Sequence, residues 1–530
     1  MTPFLQFRIW FRRATTGQRA SASLATAALV ALIAWTAVPS GPPGAPNVGV
    51  ASATPSPGPG GGGPGGPVPK QDSATGPAAP TAVVGPSPSS SLDAAPGGAN
   101  GSASGGAQVT PGTNQSGNPT ATSPSQVQSP GQAAQTCTRM GTLKIGVALP
   151  NEAGGQLNTV FGIPSQSEEQ ADYAAVFDAV NKAGGVDCNL LSGLFMGVDG
   201  TNPSTAQSDC LTFAQDHVFA VLGGFLPAAA DDCLMQHHLP TFEQIPIPAV
   251  EVRQYYPYYF SIDPTFEVLY KNFVDAVRGM GYLSSAKGFA KLGVFYRDCI
   301  PSVNSALLAD FAAAGVSGGR VDTSDLGCPS GPYAAPSAVQ QAILKFKTDG
   351  VTTVTVDNDY EDIQQISSTA QKEGFHPRWL IPDTGVSAVS SAPEFKPDPN
   401  NFDGALAITP EQYGAIESAL PETPGTVACD RIMSSHGLPT VYKSPDQYAG
   451  STCSLTWMLV AAIQHAGLNQ SALAGGLQAA KSTQYSFPDG PNDFSAPGTT
   501  TGGQYWRPIT YSGSCGCWKV QTPTWSPSFH

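Results

Sequence analysis

Carboxylates, carboxamides and aromatic rings recur where the apolar runs of this chain end. Asn151 and Glu152 follow the run 142–150, with Asn158 further along the same loop. Gly223, Gly224 and Phe225 close the run 218–222, and Glu243 and Gln244 lie in the segment after Pro240. Asp298 follows 292–296, Asp357, Asn358, Tyr360 and Glu361 follow 351–356, and Asp383 closes 379–382. Such groups can fix a small polar solute by hydrogen bonds and charge. A backbone N–H at Gly224 or Phe225 can donate as well, and the Phe225 ring can pack on an apolar ligand. An excess of acids favours a cationic or amine-bearing guest. Any one carboxylate reads equally well as a helix cap or a solvated loop group. The set is harder to dismiss, because buried charges demand partners.

No reaction is written in the same residues. The folded region contains no HExxH, GxSxG or GxxxxGK[ST] pattern, and no cofactor fingerprint. His237-His238 reads as the end of a surface helix. Cys515-Gly516-Cys517 lacks a second CxxC or a histidine pair at zinc spacing. The sequence therefore predicts a binding protein, with neither metal nor cofactor, and not an enzyme.

Alternating strands and helices must position these groups. The run 142–150 (TLKIGVALP) reads as a strand entering a glycine-bearing loop. Residues 168–183 carry apolar residues at helical spacing and end at Gly184-Gly185. A strand at 194–198, a helix from Pro203 to about Asp216, a strand at 218–222 and a helix at 228–238 follow. Pro240, Pro246 and Pro248 mark broken strand pieces. After a crossing strand at 260–263, the series resumes: helix 266–281, strand 292–296, helices 303–314 and 337–348, strand 351–356, helix 360–372 and strand 379–382. Strand–helix–strand order implies parallel sheets with ligand chemistry at the strand ends. One further helix is clear at 447–467; the segment from Cys515 onward is rich in Trp and Pro.

Composition bounds where this chain works. Residues 1–40 hold Arg8, Arg12, Arg13 and Arg19 but no acid, then an uncharged stretch from Ala20 to Val38. A basic start before a short apolar segment is an export signal or an uncleaved transmembrane anchor, with the arginines on the cytoplasmic side. Residues 41–136 are Pro, Gly, Ser, Ala and Thr, charged only at Lys70, Asp72 and Asp93. This linker cannot bury enough apolar area to order itself. As a coil it would span roughly 50–60 Å. Setting aside the leader arginines, Lys70 and the two linker aspartates leaves 20 basic and 37 acidic residues, a net charge of −17. Nucleic acid is excluded as a partner, since phosphate binding needs a basic surface.

All ten cysteines lie past the linker. An even count in an exported chain suggests disulfides. Spacing favours Cys210–Cys233, Cys299–Cys328 and Cys429–Cys453, each closing about 25–30 residues and contributing roughly 2–4 kcal/mol. Cys137, Cys188, Cys515 and Cys517 remain, and the connectivity is formally open.

Four pieces together resemble the type I periplasmic binding proteins, in their branched-chain amino-acid-binding branch of ABC-transporter receptors. They are 143–155; the helix leading into Asn181-Lys182-Ala183-Gly184-Gly185-Val186; 202–224, a helix followed by Asp-x-Val-x-Ala-Val-x-Gly-Gly; and the set 292–296, 349–356 and 370–374. The resemblance covers about 142–407, is loose to about 467 and is faint beyond. It implies an α/β fold of two Rossmann-like lobes with parallel sheets, joined by a three-strand hinge. Residues 137–262 plus about 384–485 would form lobe 1, with the helix 447–467 packing there. Residues 263–383 plus about 486–530 would form lobe 2.

The resemblance also implies a function: an extracytoplasmic solute receptor closing on a small polar ligand, an amino acid or related amine or amide, for an ABC-type permease. Its candidate contacts are Asn151, Glu152, Gly224, Phe225, Glu243, Gln244, Asp298, Asp357, Asn358, Tyr360 and Asp383. Phe225, Leu226 and Ala228 stand where the family often places a hydroxyl residue, and Glu152 stands where Thr or Ser is common. Asp357 or Glu361 would take a ligand amine. The alternative is a cell-envelope sensor or interaction module of the same fold with a reduced cleft.

Overall fold

The computed structural model describes residues 137, 140–151, 164–199, 203–223, 228–297, 301–327, 334–357, 362–383, 385–389, 395–442 and 448–529. The expected leader, linker and loop 152–163 lie outside this set. The transmembrane expectation is corrected: no helix among the described residues is long and apolar enough to cross a membrane.

The first sheet is wholly parallel, in the order β2-β1-β3-β4-β5. Its strands are β1 (Gly141–Pro150), β2 (Asn189–Val198), β3 (Ala220–Leu222), β4 (Thr241–Glu243) and β5 (Tyr259–Ser261). They alternate with α1 (Gln166–Lys182), α2 (Pro203–Gln215), α3 (Ala228–Gln236) and α4 (Ala249–Tyr255). Helix α1 starts in a capping box: Ser165 accepts from the Glu168 amide at 3.3 Å, and the Ser165 amide donates to the Glu168 carboxylate at 2.8 Å. Gly146 in β1 leaves room for Phe213 of α2, whose ring carbon would stand 2.7 Å from an added Cβ. That contact is why the strand and helix can pack so closely.

The second sheet has eight strands, ordered β12-β11-β10-β9-β8-β6-β7, with β13 paired to β11. In chain order come α5 (Phe266–Gly279), β6 (Leu292–Tyr296), α6 (Pro301–Ala313), β7 (Val321–Asp325), α7 (Pro336–Thr348), β8 (Thr353–Val356), α8 (Ile363–Lys372), β9 (Arg378–Pro382), the short α9 (Val386–Val389) and β10 (Leu406–Thr409). Strands β6 to β10 pair in parallel, while β11 (Tyr505–Ser512), β12 (Cys517–Val520) and β13 (Ser526–Pro527) add antiparallel. The sequence reading assigned about 384–485 to the first lobe. The strand Leu406–Thr409 instead still belongs to the second sheet, beside β9.

Past β10 the chain supplies α10 (Pro424–Ser435), α11 (Tyr448–Ala466) and α12 (Leu473–Ala480) to the first lobe. Leu455, Met458, Leu459 and Ile463 of α11 join Ile145, Val147 and Leu149 of β1 in one buried cluster, with Leu473 and Leu477 of α12. Helix α11 is apolar around most of its surface because α1, α10 and α12 all cover it. Disulfides join Cys137 to Cys188, Cys210 to Cys233, Cys429 to Cys453 and Cys515 to Cys517. Cys299 and Cys328 lie outside the described residues.

Candidate functional site

Three segments carry the chain between the sheets. The first is β5 running into α5, the second leaves β10 at Thr409, and the third runs from Asp489 to β11. They are laced by backbone. The Ser261 amide donates to the Thr500 carbonyl at 2.9 Å, and the Gly502 amide donates to the Ser261 carbonyl at 2.8 Å. The Gln412 amide donates to the Pro488 carbonyl at 2.7 Å, and its side-chain Nε2 donates to the Asp489 carbonyl at 2.6 Å. Glycines make this approach possible. A Cβ on Gly490 would stand 1.8 Å from the Pro410 carbonyl oxygen, and one on Gly503 would stand 2.5 Å from the Pro264 nitrogen.

Each segment brings a buried carboxylate: Asp263, Glu411 and Asp489. Asp383 at the end of β9 is buried near them. Burial pushes Asp263 up to about 7, and the charges of Asp489 and Asp383 push it the same way. Burial takes Glu411 to about 8, with Asp263 and Asp383 adding to the rise. Asp489 also reaches about 8 through burial and the nearby Glu411 charge, against the restraining hydroxyls of Ser454 and Ser451. The same Asp489 charge reaches Tyr173 of α1, whose hydroxyl is held well above its ordinary value by burial and then by Glu169, Asp172 and Asp489. Asp263 Oδ2 has no hydrogen-bond partner among the described residues. The surrounding seam is polar, not hydrocarbon: Ser261, Thr265, Thr409, Gln412, Asn492, Thr500 and Thr501 are all buried there.

The residues picked from sequence divide into three groups. Glu243 and Gln244 sit at the end of β4, directly beside the first crossing. Glu243 is fully buried, takes a 3.2 Å hydrogen bond from the Tyr259 hydroxyl, and stands opposite Ser261 in the sheet. Asn151 sits where β1 and β2 end; its side chain lies 3.0 Å from the point a Cβ on Gly197 would occupy. Asp357 ends β8 in the second lobe, buried, with the Tyr270 hydroxyl of α5 donating to its Oδ1. Burial raises its pKa to about 7 while the Tyr270 hydroxyl lowers it. Its Oδ2 has no hydrogen-bond partner among the described residues. Asp383 caps α9, accepting from the Ser387 amide at 3.0 Å and from the Ser387 hydroxyl. Glu152, Gly224, Phe225, Asp298, Asn358, Tyr360 and Glu361 lie outside the described residues. Next to Asp298, Arg297 is buried and committed to Asp362 at 2.5 Å, which also accepts from the Ala334 amide.

Asp263, Glu411 and Asp489 were not singled out from sequence. Each has proline as a chain neighbour: Asp263-Pro264, Pro410-Glu411 and Pro488-Asp489. An acid beside a proline between two apolar segments is the signal that could have found them. Among the described residues no group of three or more His, Cys, Asp or Glu side chains has the geometry to hold a metal ion.

No protein-family model and no curated protein sequence matches the chain. Solved structures do match in fold. A branched-chain amino acid transporter substrate-binding protein from Streptococcus pneumoniae, in complex with isoleucine, aligns at TM-score 0.52 and 16% identity, over 72% of this chain and 100% of that one. An ABC transporter substrate-binding protein from Desulfitobacterium hafniense, in complex with Leu, aligns at 0.51 and 14%, over 72% and 99%. An ABC transporter solute-binding protein from R. palustris, in complex with 4-hydroxybenzoate, aligns at 0.52 and 14%, over 73% and 97%. The architecture is therefore that of the type I periplasmic binding proteins: two α/β lobes with parallel sheets. One fold carries different ligands in these structures, so the fold does not set the ligand.

Proposed function

We propose that this protein is an extracytoplasmic solute-binding protein that captures a small ligand bearing a protonated amine between its two lobes, for delivery to an ABC-type permease. The reading rests above all on one observation: Asp263 is buried at a crossing, its Oδ2 without a hydrogen-bond partner among the described residues, within electrostatic reach of Asp489 and Asp383. Among the described residues no Lys or Arg forms an ion pair with Asp263 or Asp489. A carboxylate in that position is stabilised by a cation brought from outside. Lobe closure would bring Asp357 of the second lobe and Glu243 of the first toward the same guest. Export is supported by the arginine-rich leader and by disulfides among the described residues.

A thermal-shift panel of amino acids, amides, diamines and short peptides on the whole chain tests the reading. A ligand at a hundred times its Kd raises stability by about 2.7 kcal/mol. Amine-bearing compounds should give the response, and Asp263→Asn should abolish it. A flat response across the panel overturns the reading and leaves the interaction-module alternative. A response confined to anionic compounds removes the amine assignment alone.

A further inference from the structure

The turn Cys515-Gly516-Cys517 lies beyond the Leu406 end of β10, whereas Glu411 follows the Thr409 end of the same strand. It joins β11 to β12, with Cys515 exposed and Cys517 half-exposed. Its disulfide spans a sequence separation of 2, so it joins segments that the chain already holds together. The backbone ladder fixes the hairpin independently, pairing Ser512 with Cys517, Tyr511 with Trp518 and Thr510 with Lys519. A loop this short removes little freedom from the unfolded chain. The other described disulfides differ: they span separations of 51, 23 and 24, and Cys210, Cys233, Cys429 and Cys453 are all buried in cores. Exposed disulfides without a stabilising task are the ones that exchange. A charge also lies beside the glycine between the two cysteines. Gly516 has φ +61°, and the Lys396 Nζ lies 2.4 Å from the point where a Cβ would be. A nearby ammonium favours a departing thiolate.

We propose that Cys515–Cys517 is a thiol–disulfide exchange site that accepts two electrons from an extracytoplasmic dithiol. A thiolate of the dithiol attacks Cys515 Sγ, the Cys515–Cys517 bond breaks, and Cys517 leaves as a thiolate that takes a proton from solvent. The second thiol of the dithiol loses its proton and attacks its own sulfur in the mixed disulfide. Cys515 is released as a thiolate and protonated. The dithiol ends as a disulfide and the turn as two thiols, so electrons and protons balance. The proposal is independent of the solute-binding reading.

The test equilibrates the intact, folded chain in glutathione buffers of graded potential, traps thiols by alkylation and reads each cysteine peptide by mass spectrometry. Cys515 and Cys517 should become labelled in buffers at least tenfold less reducing, in equilibrium constant, than those that label Cys210, Cys233, Cys429 or Cys453. The oxidised chain should also oxidise a synthetic peptide dithiol faster than the Cys515→Ser/Cys517→Ser variant, which should fall to the buffer rate. Lys396→Gln should slow that oxidation several-fold and Lys396→Arg should restore it. Labelling of Cys515 and Cys517 only together with the buried cysteines overturns the proposal. So does peptide oxidation that the double variant leaves unchanged.

Discussion

Asp263 and Asp489 lie on different crossings, yet each is buried and the charge of Asp489 raises the pKa of Asp263. The pair is held together by chain geometry. The 261–264 segment packs against the 500–503 segment, and Gly490 lets Asp489 pass beside Pro410. Like charges brought together inside a protein store an unfavourable interaction, which a bound cation relieves.

The first prediction is the pH dependence of the ligand-free chain. Asp263 and Asp357 move from 3.8 to about 7, Asp489 from 3.8 to about 8 and Glu411 from 4.5 to about 8. These folded-state values lie above the unfolded ones, so the folded chain binds more protons throughout that window. Stability is greatest near the lower end and falls as pH rises from about 4 to about 8. Each group contributes up to about 1.4 kcal/mol per pH unit while it is shifted. Melting temperatures across this range should decline, and Asp263→Asn with Asp489→Asn should flatten the decline. A profile that rises between pH 5 and 8 contradicts the assignment.

A second prediction concerns proton release. Carboxyls that are partly protonated near pH 7 must ionise when an ammonium group docks on them. Once a ligand is in hand, titration calorimetry in buffers of different ionisation enthalpy should show protons released on binding. Affinity should rise with pH between 6 and 8. Buffer-independent heats would place the ligand away from Asp263, Glu411 and Asp489.

Tyr270 gives a third. Its hydroxyl ties α5 to the end of β8 through Asp357, and both residues are buried. Tyr270→Phe removes the donor that holds the Asp357 pKa down, so Asp357 should titrate above 7 and the second lobe should lose about 1–3 kcal/mol. The loss should be larger at pH 8.5 than at pH 6, where the carboxyl is neutral. Urea denaturation at both pH values reads the difference. Equal losses would mean that the ring and not the charge pairing is what matters.

Much of the fold was legible because apolar runs and glycine stops coincide. The runs at 142–150, 292–296 and 351–356 stand on strands β1, β6 and β8, and Gly184 and Gly374 end helices at positive φ. Where the pattern failed, another force had taken over. β7 (VDTSD) is a polar edge strand, held by its backbone pairing to β6. α4 is hidden by Pro246 and Pro248 immediately before it. α10, α12, β10 and the β11–β12 hairpin carry no repeat that predicts their partners, since their burial is set by tertiary contacts with distant segments. The candidate site was half legible for the same reason. Strand ends could be found by period, which gave Asp357, while Glu243 was read from the proline-broken segment after Pro240. The crossings have no period, so Asp263, Glu411 and Asp489 were passed over.

The crossings supply a fourth prediction. At Gly490 an added methyl would meet backbone, the Pro410 carbonyl oxygen at 1.8 Å, which no side-chain rotation can relieve. Gly490→Ala should therefore force two crossings apart, costing about 1–3 kcal/mol, and should weaken any ligand held by Asp489 and Glu411. Gly279 is the control. It ends α5 with nothing within 4 Å of an added Cβ and no positive φ. Gly279→Ala should leave binding unchanged and stabilise by about 0.5–1 kcal/mol. Similar melting temperatures for the two variants would show that the crossings tolerate separation.

The disulfides allow a last comparison within one molecule. Cys429–Cys453 joins α10 to α11 inside a buried cluster with Val176, Met433 and Trp457, over a sequence separation of 24. Replacing both cysteines by Ala removes a long-range link and leaves small core gaps, and should cost about 2–4 kcal/mol. The corresponding Ser replacement at Cys515 and Cys517 removes a link across one residue at an exposed turn, and should change stability by less than about 0.5 kcal/mol. Chemical denaturation of both double variants beside the unaltered chain measures the two costs. Comparable costs would mean that the β11–β12 turn is a structural staple after all, because a bond that the fold depends on could not open and close without loosening the hairpin around Tyr511 and Trp518.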